Sequence, residues 1–102
     1  MLDQLQKYKL FVEAFEQALA RKTTSFHAGR YSIRPATGRE AKAFKARVCV
    51  DNVIIATLEH DDTYRPLPTG RKLLSRNSPT CRYALEALDR VLAAQEGLHT
   101  GN

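Results

Sequence analysis

Cysteine is nearly absent from this chain. Cys49 and Cys81 are too few for a disulfide framework, so the fold has to rest on an apolar core. The five glycines form no Gly-rich phosphate loop. No stretch approaches the ~18 apolar residues of a membrane span. The N-terminus, Met1-Leu2-Asp3-Gln4, has neither a basic region nor an apolar one, so no signal peptide is read. A cytoplasmic protein with reduced thiols is the expectation, with no membrane contact. His27, His60 and His99 are scattered, and His60-Asp61-Asp62 has no second ligand cluster at zinc or calcium spacing. No metal and no cofactor are expected. A nucleophile elbow and a paired-carboxylate constellation are also missing, which leaves enzyme as the weakest reading.

What is present is an ordinary globular composition, 43% hydrophobic and 26% charged, on 102 residues. A chain of that length buries roughly two-thirds of its unfolded surface. It reads as a single small domain, 1–102. The net charge of +5 is unevenly spread. Residues 1–20 carry −1 and residues 83–102 carry −2, while residues 21–82 carry +8. A basic middle between two nearly neutral ends suggests a polyanion or an acidic protein as partner.

The pattern along the chain predicts an α+β domain of order α-β-β-β-α. Its three-stranded antiparallel sheet would have both helices packed on one face. Residues 3–21 form a helix, with Leu5, Tyr8, Phe11, Val12, Phe15, Ala18 and Leu19 on one half and Leu2 and Leu10 off that stripe. Residues 25–34 read as one strand, in which a bulge at Gly29 would bring Phe26 to the side of Tyr31 and Ile33. Residues 42–60 read as a hairpin. Phe44, Ala46, Val48 and Val50 alternate with Lys45, Arg47 and Cys49, and after the turn Ile54, Ala56 and Leu58 alternate with Ile55, Thr57 and Glu59. A two-residue turn would split these apolar sets between faces. A three-residue loop, 51–53, unites them by pairing Val50 with Ile54, Val48 with Ala56 and Ala46 with Leu58, and sets Lys45 opposite Glu59. The three-residue loop is therefore expected. Residues 61–77 read as a loop, its basic part at 65–77, with Leu73-Leu74 as a short strand or a plug over the core. Ser78-Pro79 starts a second helix as N-cap and N1. That helix buries Cys81, Ala84, Leu85, Leu88, Val91 and Leu92, ends at Gly97 and leaves 98–102 as a frayed tail.

Two surfaces could carry function. With helices on the inner side, Arg30, Arg34, Lys45 and Arg47 form a basic sheet face, beside an apolar corner of Cys49, Val53 and Ile55. The long loop adds Arg65, Arg71, Lys72 and Arg76 near a helix N-terminus. Arginine and lysine clusters of this kind bind phosphates. No aromatic is expected on the outer face to stack on bases. Cys81 is expected inside and inert, Cys49 outside.

The order helix, three strands, helix is similar to that of the double-stranded-RNA-binding domain. Where that family has a Lys-Lys-x-Ala-Lys run at the start of its last helix, this chain has Ser78-Pro79-Thr80-Cys81-Arg82, with one cation. The resemblance is one of element order. Two functions follow from the residues themselves. One is a small non-enzymatic protein-binding module or inhibitor, of the kind phages and mobile elements encode, using its basic face on an acidic partner. The other is a DNA- or RNA-binding domain using the same face. A homodimer stays open.

Overall fold

A computed structural model describes residues 4–74 and 79–100. Helix α1, Gln4–Ala20, is followed by the strands β1, Phe26–Ala28, and β2, Tyr31–Pro35. A single-turn helix α2, Glu40–Ala43, leads to β3, Ala46–Val50, and β4, Val53–Leu58. Then come β5, Tyr64–Pro66, the short helix α3, Pro68–Leu74, and the long helix α4, Pro79–Thr100. The strands form an antiparallel meander in the order β1-β2-β3-β4-β5. The fold is α+β as expected, but the sheet has five strands rather than three, with two short helices between the long ones. The element order of the double-stranded-RNA-binding domain is therefore not that of this chain.

The added strands come from tight turns. The expected single strand over 25–34 is a hairpin, because Gly29 takes φ +60° and reverses the chain there. Phe26 still reaches the core side, but by pairing with Ile33 across the hairpin rather than through a bulge. At the β3–β4 connection, Asp51 and Asn52 both take positive φ, 53° and 66°. Asp and Asn tolerate this left-handed region better than most residues, and two such positions make the type I′ turn. The turn thus has two residues, not three, and Val50 pairs with Val53. Left alone, that register would put the apolar residues of β3 and β4 on opposite faces. A bulge corrects it: Cys49 faces Ile54, Val48 faces Ala56, and Ile55 is the extra residue between them. The expected pairs Val48–Ala56 and Ala46–Leu58 are present. Ile55, expected outside, is fully buried, and Ile54 takes the outer position.

The core lies between the sheet and the long helices. Phe15, Ala18 and Leu19 of α1 and Cys81, Ala84, Ala87 and Leu88 of α4 close on Tyr31, Ile33, Val48, Val50, Ala56 and Leu58. Leu85, Val91 and Leu92 pack against this cluster while partly exposed. The Phe15 ring sits 5.0 Å from Tyr31 and 6.2 Å from Phe26. On the far side of the α1–α4 contact, Arg90 donates from Nε to Glu16 Oε1 at 2.7 Å and from Nη2 to Oε2 at 3.2 Å. Helix α1 ends in a Schellman motif. Lys22 takes φ 59°, its N–H reaches Leu19 C=O at 3.1 Å, and the Thr23 N–H reaches Ala18 C=O at 3.0 Å. Lys22 Nζ then lies 4.7 Å above the ring of Tyr64, whose hydroxyl donates to Leu19 C=O at 2.9 Å.

Three further expectations meet the structure differently. Helix α4 runs through Gly97 to Thr100, so the expected end there and the frayed tail from 98 are corrected for residues 98–100. One glycine costs a helix roughly 1 kcal/mol, too little to stop one already anchored by packing. The loop of 61–77 contains β5 and α3, and Leu74 is the plug, 1% exposed, within α3. Phe11, expected inside, is 38% exposed. Leu2, Asp3, Arg76, Ser78 and residues 101–102 lie outside the described residues, as do the side chains of Leu5 and Tyr8.

Candidate functional site

The outer face of the sheet is a ladder of two rungs. One runs Arg34, Arg47, Thr57, Arg65 across β2, β3, β4 and β5. The other runs His27, Ser32, Cys49, Ile54 across β1 to β4. Strand alternation alone brings these residues together, since each rung is one set of cross-strand neighbours. Arg65, assigned by sequence to a separate loop surface, belongs to this face because the loop contains β5.

The basic platform is largely neutralised within the chain. Arg30 clamps Asp51 with both ends of its guanidinium, Nε to Oδ1 at 2.6 Å. That bond holds the Asp51 carboxyl below its ordinary range, against the opposing effect of burial. Lys45 Nζ meets Asp62 Oδ1 at 2.5 Å, rather than Glu59, which instead accepts from Thr57 Oγ1 at 3.0 Å. Arg47 Nε faces Glu40 Oε2 across 3.3 Å, both atoms shut away from water and neither in a hydrogen bond among the described residues. Glu40 comes from the single-turn helix α2, just before β3. Arg34 donates to Asn52 Oδ1 at 3.2 Å. Among the described residues, Arg34 and Arg65 take part in no ion pair.

The side chains over β3 also close off Cys49, only 7% exposed although it points outward. Burial pushes its thiol up, with Arg47 and Arg34 pulling the other way. Cys81 is buried as expected, and its thiol donates to Asp51 Oδ2 at 3.6 Å. The expected apolar corner does not exist as a patch: Ile55 is in the core, Val53 packs against the core, and Cys49 is covered.

An apolar strip lies elsewhere on the same face. One hollow of about 410 Å³ is lined by Ala43, Phe44, Ile54 and Leu67 together with Thr57, Glu59 and Arg65. A second, of about 340 Å³, shares Ile54 and Leu67 and continues over Val53 and Pro68 to Leu73, which is 61% exposed. Phe44 was expected on the inner side. It lies instead where α2 gives way to β3, in extended backbone, and lines the outer hollow. Ile54 is outward because of the bulge. In the sequence, the visible signal was the pair Leu73-Leu74, of which a helix can bury only one on a given face.

Of the remaining loop cations, Arg71 and Lys72 are described. Arg71 Nη2 pairs with Asp89 Oδ1 of α4 at 2.7 Å, and Lys72 lies exposed on α3. Comparison with family models, with curated proteins and with solved structures finds no match. No helix among the described residues is long and apolar enough to cross a membrane.

Proposed function

We propose that this is a non-enzymatic binding module that takes an acidic protein partner on the outer face of its sheet. Apolar side chains of the partner fill the strip from Phe44 through Ile54 and Leu67 to Leu73, and its carboxylates meet Arg34 and Arg65. The observation that carries the reading is the pair of largely apolar hollows that share Ile54 and Leu67, with Arg65 and Glu59 as the charged residues lining one of them. Arginine in such a position is well suited to bidentate carboxylate contacts. The ion pairs of Arg30, Lys45 and Arg47 with Asp51, Asp62 and Glu40 weigh against a phosphate-binding platform, because they reduce the field a polyanion would meet.

The test is capture from a nuclease-treated lysate by the wild type and by two exposed-site variants, Leu73→Asp and Arg65→Glu. Arg90→Glu, on the helix side, serves as control. The same proteins should be captured by wild type and Arg90→Glu and lost by both face variants. Capture indifferent to the face variants sinks the reading. So does wild-type affinity for duplex DNA or RNA at ~50 mM salt that falls steeply as salt rises, with no protein captured.

A further inference from the structure

The two edges of the sheet are built differently. On the β5 side, Gln95 of α4 holds the strand with both ends of its amide. The Tyr64 N–H donates to Oε1 at 2.8 Å, and Nε2 donates to the Tyr64 C=O at 3.1 Å. A side chain thus takes the bonds a further strand would take. Pro66 ends β5 without an N–H, and α3 covers the rest of β4 with Gly70 against the Ile54 carbonyl. Covering elements, prolines and charges are the usual guards of a sheet edge.

The β1 side has none of these. Residues 23–29, Thr-Thr-Ser-Phe-His-Ala-Gly, contain no proline and no formally charged side chain. Ala28 pairs with Tyr31 across the tight turn, and Phe26 pairs with Ile33. Antiparallel alternation then turns the N–H and C=O of the exposed His27 to the open side. No described residue bonds to that side. Above the edge lies α1. Its ring of Phe11 stands 3.5 Å from where a Cβ on Gly29 would be. Phe11 is 38% exposed and Leu10 52% exposed, and Ala14, one turn on from Leu10, is exposed too. The opposite side of α1, Val12 and Glu16, faces Tyr83 and Arg90 of α4. The apolar flank of α1 and the open strand therefore adjoin, with Lys7 at the flank's N-terminal end.

We infer that this edge is the interface of a two-fold homodimer, in which β1 pairs antiparallel with β1 of a second copy and α1 packs beside its counterpart. The pairing centres on His27, and the two sheets become one. A second copy fits for two reasons. A two-fold contact requires a surface that complements itself, and both an antiparallel edge and an apolar flank do so. Two chains of net charge +5 also approach with least repulsion along the uncharged segment 23–29.

Sedimentation of the full chain from ~1 µM to ~0.5 mM tests this. Wild type should pass from monomer to dimer. His27→Pro removes an N–H that no partner within the chain uses, and Leu10→Lys puts like charges across the axis. Each should raise the midpoint concentration at least ~10-fold without changing the far-ultraviolet circular dichroism. Arg65→Glu, on the outer face, should leave the midpoint alone. A wild type that stays monomeric to ~0.5 mM overturns the inference, as does a dimer that neither variant weakens. If His27→Pro fails to fold, Leu10→Lys decides alone.

Discussion

Gly70 offers a substitution whose expected sign is opposite to the one helix propensity gives. It lies within α3, where replacing glycine by alanine ordinarily stabilises by roughly 0.5–1 kcal/mol. A Cβ added there would stand 1.9 Å from the Ile54 carbonyl oxygen and 3.0 Å from its carbon. Both atoms are backbone of β4, next to the bulge, and cannot swing aside. The helix would have to retreat by roughly 1.5 Å to restore ordinary contact. That retreat drags on Leu74, which is 1% exposed and plugs the core from the same helix. Partial loss of this packing costs roughly 2–4 kcal/mol, so Gly70→Ala should be net destabilising by about 1–3 kcal/mol. In urea, with a slope of about 1–1.5 kcal/mol per molar for a chain this size, the midpoint should fall by about 0.7–3 M. Thr69→Ala, its exposed neighbour, should move the midpoint little. A Gly70→Ala midpoint equal to or above wild type would refute the close packing of α3 on β4.

Two other expectations follow from buried groups. Burial, with Asp62 nearby, raises the Tyr64 phenol from its ordinary 10.0 to about 12. Since the folded state holds that proton more tightly, its contribution is complete below pH 10.0 and is lost as pH rises towards about 12. Tyr64→Phe should cost about 0.5–1.5 kcal/mol at neutral pH by removing the hydroxyl's bond to the Leu19 carbonyl, which keeps its bond from the Lys22 N–H. Urea titrations at a series of pH values should show a shallower alkaline decline in the variant, and equal slopes would remove the phenol from the account. Both thiols should react slowly with a thiol reagent until the chain unfolds, because Cys49 and Cys81 are both buried. Fast labelling of Cys49 would mean that the side chains over β3 do not cover it.

The parts legible in the sequence are those set by local periodicity. The 3.6-residue stripes mark α1 and α4, and Pro79, expected at the first position of the second helix, is the first described residue of α4. Period-two alternation marks β3 and β4 and pairs Val48 with Ala56 and Ala46 with Leu58. Such patterns are long enough to average out single exceptions, because they record which side of an element meets the core. Strands β1 and β5 are each three residues long, too short to show a period, and they exist because a neighbouring strand takes their backbone bonds.

The candidate site divides in the same way. That Arg34, Arg47 and Thr57 share a face follows from alternation. That Arg65 joins them needs β5, and that Ile54 rather than Ile55 faces out needs the bulge. Periodicity along the chain determined the α+β class, and the order of the charged residues put the positive charge in the middle. Tertiary structure decided how much of that charge is left: Asp51, Asp62 and Glu40 reach Arg30, Lys45 and Arg47 from turns and a short helix whose positions no local pattern encodes. An ion pair depends on where two backbones lie within a few ångströms of one another, and only the packed chain sets that distance.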